Sequence, residues 1–159
     1  MMMSKPVHAA NLPKPVGPYS PGVAFDRLIF VSGQGATNPA TGGLAGPDIE
    51  TQTAQCLENV RAILYTFGSD LTCVLRCGVF LIDIREFEKM NAVYARVFGE
   101  HRPARTTIQA AALPGEGLRV EIDCIAYVPQ GRIKSSRPTS RVRHVPRTTP
   151  SEVRGHPRT

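Results

Sequence analysis

Residues 118–128 constrain the architecture more than any other segment. Leu118, Val120, Ile122, Cys124, Ala126 and Val128 alternate with Arg119, Glu121, Asp123, Ile125 and Tyr127. A period of two belongs to a strand with one face in a core and a mixed opposite face. Such a strand needs a layer over its apolar side, and the chain supplies two amphipathic helices. Behind Asp48, a good N-cap, the residues Ile49, Leu57, Val60, Ile63, Leu64 and Phe67 recur at helical spacing with Cys56 beside them. Gly68 then stops a helix of about five turns. A second stripe, Phe87, Met90, Tyr94, Val97 and Phe98, follows Asp83, which is placed to cap it, and ends before Gly99.

Other strands are marked by composition. Val23-Ala24-Phe25 and Leu28-Ile29-Phe30-Val31 flank Asp26-Arg27, the pattern of a hairpin with a two-residue turn. Residues 33–46 are rich in Gly, Pro, Asn and Thr and read as a loop. Val74 to Ile82 is β-branched and aliphatic, a buried strand; Arg105 to Ala111 is a further strand. Residues 1–15 read as an extended, proline-punctuated lead.

The order β-β-α-β-α-β-β, with two helices and one sheet, makes an α+β two-layer domain with both helices on one face. The other face then carries Arg119, Glu121, Asp123, Ile125 and Tyr127, joined by Arg105, Thr107, Gln109 and Ala111 of the preceding strand. It is either solvated or buried against another copy of the chain. This phasing puts Arg105 and Glu121 on one surface, away from the helices.

Charge divides the chain. The 159 residues carry a net +6, but residues 130–159 hold eight basic residues against Glu152 and account for +7, leaving 1–129 at −1. Residues 130–159 also carry four prolines, no aromatic residue and only isolated apolar ones. Such a segment buries too little to offset its ordering entropy, and the expectation is a disordered basic tail behind a domain of residues 1–129. Nucleic acid is an unfavoured partner, reachable only through that tail, because no aromatic residue there is available to stack on bases.

No run of about 18 apolar residues exists, so no membrane-spanning helix is expected. The first residues, Met1 to Pro6, lack the apolar stretch of a secretory signal. The expectation is a cytoplasmic protein. Cys73 and Cys77, four apart in or near a strand, lie about 13 Å from each other if extended, too far for a disulfide or a shared metal. His101 stands by itself in a loop. A metal site is not expected.

A set of separated motifs in one order carries a resemblance. Gly17-Pro18-Tyr19-Ser20 precedes Val31-Ser32-Gly33-Gln34; Asn38-Pro39-Ala40-Thr41-Gly42, Gln52-Thr53 and Leu57-Glu58-Asn59 follow. Then come Val79-Phe80-Leu81 with Asp83, Asn91 with Tyr94, Phe98-Gly99, Pro103-Ala104-Arg105-Thr106-Thr107, Leu113-Pro114 and Val120-Glu121-Ile122. From about Lys14 to Val128 the chain resembles the RidA/YjgF family of enamine/imine deaminases.

The resemblance implies a chorismate-mutase-like α+β fold, assembled as a homotrimer whose helix-free sheet faces form a central barrel. It implies active sites in the clefts between subunits and no metal or organic cofactor. The implied reaction is hydrolysis of 2-enamines and 2-imines released by pyridoxal-phosphate enzymes, such as 2-aminoacrylate, to 2-oxo acids and ammonia. Some relatives are described as ribonucleases or translation inhibitors, which makes an RNA-binding role the alternative; a non-catalytic binder of small carboxylates is another.

Residue by residue, Arg105 matches the arginine that binds the substrate carboxylate. A planar guanidinium can hold a carboxylate through two parallel charge-assisted bonds. Glu121 matches the glutamate that holds the hydrolytic water, where a carboxylate can serve both water attack and proton delivery. Tyr19, Ser32, Gly33 and Asn91 match pocket positions. Thr107 stands where many members have cysteine, Gln34-Gly35-Ala36 replaces a more aliphatic stretch, and Pro21 stands where a polar residue is usual. These departures bear on side-chain preference more than on the reaction.

Overall fold

The computed structural model describes Lys5–Pro6, Leu12 and residues 14–130. The expected tail, from Gly131 on, lies outside the described residues.

Six strands form one sheet: β1 (Lys5–Pro6), β2 (Gly22–Phe25), β3 (Leu28–Gln34), β4 (Val74–Leu81), β5 (Ala104–Gln109) and β6 (Val120–Tyr127). Two helices, α1 (Ile49–Thr66) and α2 (Phe87–Phe98), complete the fold. The strand order is β1-β2-β3-β6-β4-β5, with β4 and β5 parallel and every other pair antiparallel. This is the expected α+β sheet-and-helix architecture. The parallel pair is possible because α2 lies in the crossover between β4 and β5.

Strand β6 sits centrally, between β3 and β4, and its burial alternates along its whole length. Val120, Ile122, Cys124 and Ala126 face the helices and are buried with Ile49, Leu57, Val60, Ile63 and Leu64 of α1 and Met90, Tyr94 and Phe98 of α2. Each fully buried aliphatic side chain contributes roughly 1.5–3 kcal/mol. This core is what aligns both helices on one side.

The ends of α1 are as expected. The Asp48 carboxylate accepts the Thr51 amide at 2.7 Å, and Gly68 adopts φ 76° just after the helix. The start of α2 is not. Asp83 accepts from the Arg85 amide and caps a single 3-10 turn, Ile84–Glu86; α2 begins after it, with no side-chain cap of its own. A short polar cap is used at the first available turn, and the stripe begins only where Phe87 can reach the sheet. Residues 5–6, expected as an extended lead, pair with β2 at the sheet edge. Among the described residues no helix is long and apolar enough to cross a membrane.

Candidate functional site

Pairing parity sets which face each side chain occupies. Arg105 is opposite Cys77, and Cys77 is opposite Cys124, whose side chain belongs to the core side. Arg105 and, two residues on, Thr107 therefore face the helices. Glu121 is opposite Phe80, which is opposite Ile108, on the helix-free face. The expectation that Arg105 and Glu121 share one surface is thus wrong, and so is the placing of Thr107 and Gln109 away from the helices. The reason is local: no residue of Ala104–Gln109 is buried, and its one large apolar side chain, Ile108, lies on the helix-free face, so its own pattern cannot fix its phase. Only its register against the apolar β4 does.

On the helix side, Arg105 is built into α2. Its guanidinium carbon lies 4.5 Å from the centroid of the Tyr94 ring and 5.6 Å from that of Phe87. Its Nη2 donates to Asn91 Oδ1 at 2.9 Å. Asn91, Tyr94 and Phe87 sit at helical spacing, so one helix face supplies an amide and two rings. Rings attract a guanidinium through their negative faces without neutralising it. Among the described residues Arg105 forms no salt bridge. The result is a fixed cation with donors to spare, at the wall of a cleft of about 340 Å³ that Asn91, Tyr94, Phe98 and Arg102 also line.

Around Arg105, thiols and hydroxyls come from several elements: Cys77 from β4, Cys124 from β6, Thr107 from β5 and Tyr94 from α2. Cys77 and Cys124 are cross-strand partners, and all four cysteines are free and buried. Burial pushes the Cys77 and Cys124 thiols up, which keeps them protonated and poorly nucleophilic. Tyr94 is pushed up too, first by burial and then by the neighbouring Cys77. The Tyr94 hydroxyl has no partner at hydrogen-bonding geometry despite that neighbour, and Thr107 Oγ1 is likewise buried and unpartnered. His101 Nε2 donates to the Val74 carbonyl at 2.7 Å, tying the loop after α2 to the start of β4.

On the opposite face, Glu121 lies at an irregularity. Between Val31 and Gln34 strand β3 gains one residue over β6, a bulge at Ser32-Gly33. A Cβ built on Gly33 would stand 2.0 Å from Glu121 Oε1, so glycine is required there for the carboxylate to occupy its place. Burial, and then the neighbouring Asp123 charge, raise the Glu121 carboxyl above its ordinary value. Arg105 plays no part in that shift, since the sheet lies between them. Asp123 accepts the Gly78 amide at 2.8 Å, which places a second carboxylate on the same face.

Near Glu121, Tyr19 is about half exposed and lines a small pocket with Gly33, Gln34, Gly35 and Leu118. The Ser32 hydroxyl is spent locally, donating to the Ser20 carbonyl at 2.7 Å; it fixes the Tyr19 segment rather than facing the pocket. The expected residues therefore form two groups, Arg105 with Asn91 and Thr107, and Glu121 with Gly33 and Tyr19.

Two further residues support the second group, and no apolar spacing assigns them a role. Gln52 Nε2 donates to the carbonyls of Gly46 and Gly117 at 2.9 Å each, and its Oε1 accepts the Arg119 amide. Asn59 Nδ2 donates to the carbonyls of Gly35 and Thr37. Both are buried polar residues on the core face of α1, fully engaged in holding the two loops beside Glu121. The signal available beforehand was their polarity on an otherwise apolar stripe.

Fold and site together define a small α+β protein with an acid-free arginine cleft on one side of its sheet and a carboxylate at a bulge on the other. The chain belongs to the YjgF/RidA family: residues 9–128 match the family model described as Endoribonuclease L-PSP. It is 42% identical over 125 residues to a RutC family protein of Pyrococcus horikoshii, covering 79% of this chain and 98% of that protein. It is 41% identical over 125 residues to the 2-iminobutanoate/2-iminopropanoate deaminase of Bos taurus, covering 79% of this chain and 90% of that one. The crystal structure of the YjgF gene product of E. coli superposes with a TM-score of 0.74 at 35% identity, over 79% of this chain and 99% of that chain.

Proposed function

We propose that the protein hydrolyses 2-imino and 2-enamino acids to 2-oxo acids and ammonia, as a homotrimer whose sites form between subunits. The observation that carries this reading is Arg105, a guanidinium held by Asn91 and Tyr94 at an open cleft with no acid to neutralise it. A small carboxylate would complete it with charge-assisted bonds. The similarity to a protein named as an imine deaminase supplies the reaction class.

The chemistry is balanced without any cofactor. A 2-enamine takes a proton on its methylene carbon to become the imine. Water then adds through oxygen to the imine carbon and gives one proton to nitrogen, forming a carbinolamine; its hydroxyl proton follows to nitrogen as the carbon–nitrogen bond breaks, giving the 2-oxo acid and ammonia. Glu121, with its raised carboxyl, is suited to hold the water and shuttle the proton.

Because Arg105 and Glu121 face opposite sides of one sheet, a shared site draws them from different copies. The helix-free face supports such an assembly: Phe25, Leu28 and Phe30 at one side of the sheet and Ile108 at the other are exposed there, apolar side chains that contact with another copy would cover.

A dehydratase acting on serine generates 2-aminoacrylate, and pyruvate release reports its hydrolysis. Wild type should accelerate that release, and Arg105→Ala should lose roughly a hundredfold in kcat/KM, the equivalent of about 3 kcal/mol of charge-assisted bonding. No acceleration, or equal acceleration by the variant, defeats the reading.

A further inference from the structure

The cleft at Arg105 holds a second arginine. Arg102 lines it too, and its Nη1 donates to the carbonyls of Gly99 and His101, at 2.9 Å for the latter. Nε and Nη2 are left for another acceptor. None of the residues lining the cleft is acidic, and among the described residues Arg102 forms no salt bridge. Two guanidiniums thus share one cleft without an anion of the protein's own.

Their spacing is set by α2. Arg105 is tied to Asn91 and Arg102 to Gly99, eight residues further on. Asn91 lies within α2 and Gly99 just past its last residue, Phe98, so the two guanidiniums are held at different points along one helix. The two carboxylates of one short diacid can then each meet a guanidinium through charge-assisted bonds. Tyr94 and Phe98 wall the cleft with rings, so the stretch between the charges suits methylene groups.

We propose that Arg102 anchors a second anionic group, so that the protein accepts 2-imino and 2-enamino acids whose side chain ends in a carboxylate. This rests on the deaminase reading. The added carboxylate is a spectator to hydrolysis, and the reacting atoms balance as above. Such substrates arise from the oxidation of acidic amino acids.

The test uses the full chain. An amino-acid oxidase acting on glutamate yields 2-iminoglutarate, and one acting on 2-aminobutanoate yields 2-iminobutanoate. Capture of the surviving imine by semicarbazide reports hydrolysis. In wild type both imines should be hydrolysed, and Arg102→Ala should lower the diacid-to-monoacid ratio of kcat/KM about tenfold. Arg102→Gln, whose amide can still donate to Gly99 and His101, should lower the same ratio and serves if the alanine variant fails to fold. Hydrolysis of the monoacid only, or an equal loss on both imines, overturns the proposal: Arg102 would then only cap α2. A calorimetric arm separates this from failure of the deaminase reading. Wild type should bind 2-oxoglutarate more tightly than 2-oxobutanoate, and Arg102→Gln should erase that preference. Equal binding of the two by wild type refutes the second anchor even if both imines are hydrolysed.

Discussion

Arg105 and Glu121 lie on strands separated only by β4, yet their surroundings are opposite. Arg105 leans on a helix, its charge cradled by an amide and two rings that leave it whole. Glu121 rests on a bulge, against bare backbone, where burial and then a neighbouring carboxylate lift its affinity for a proton. One side is arranged to keep a charge available, the other to make a charge negotiable. A single sheet keeps the two apart, so neither neutralises the other, and a reaction that uses both must bring two copies together.

The sharpest way to break this contrast is to separate the residues genetically. Arg105→Ala and Glu121→Ala should each lose about a hundredfold or more in deaminase kcat/KM. When the two variants are unfolded together and refolded as a mixture, activity should return, because some sites then combine an intact Arg105 with an intact Glu121. Mixtures that stay as inactive as their components would show that the residues do not act across copies.

Next in size is Gly33→Ala. The added methyl must displace the Glu121 carboxylate, and a misplacement of about 1 Å can cost roughly a hundredfold in turnover. Binding of 2-oxobutanoate, measured by calorimetry, should change little, because the carboxylate is held by Arg105, whose support comes from Asn91 and Tyr94 and not from Gly33. Loss of binding together with turnover would mean the two sides are not independent.

A smaller effect is expected at Tyr94. Tyr94→Leu removes a ring from beneath the guanidinium, a contact of about 1–2 kcal/mol when shielded from water. KM should rise about tenfold with kcat largely kept, and Tyr94→Phe should restore most of the loss. No difference between leucine and phenylalanine would rule out the ring as the support.

The smallest effect concerns pH. Glu121 has a raised carboxyl in the folded chain, so its neutral form favours folding. That contribution is complete below the ordinary value of 4.5 and is lost as pH rises through the raised value. Glu121→Gln should therefore melt at a slightly higher temperature than wild type at pH 7, with the gap closing below pH 4.5. A gap of the opposite sign would mean the carboxylate is stabilised as an anion.

Much of this was legible beforehand, because the strongest patterns are local. The alternation of 118–128 names the central strand and its core face, and both helical stripes name the covering layer. Asp48 and Gly68 mark the ends of α1 by chemistry that needs no partner. The start of α2 was misplaced because Asp83 can cap either kind of helix, and only packing at Phe87 decides where the longer one begins. Gln52 and Asn59 were visible as polar residues on an apolar face, but their partners are loop carbonyls up to 65 residues away, which no spacing reveals.

The amino-acid sequence by itself determined the element order from β2 onward, the core face of β6, the separation of charge between residues 1–129 and 130–159, and the family. Tertiary structure decided the relation between Arg105 and Glu121. A strand's alternation says which of its residues share a face, and it is silent on which face that is when neither carries a buried apolar set. For β5 the answer comes from a neighbouring strand, through Cys77 opposite Arg105 and Cys124 opposite Cys77. Backbone hydrogen bonding between strands distant in sequence therefore put the cation and the carboxylate on opposite sides.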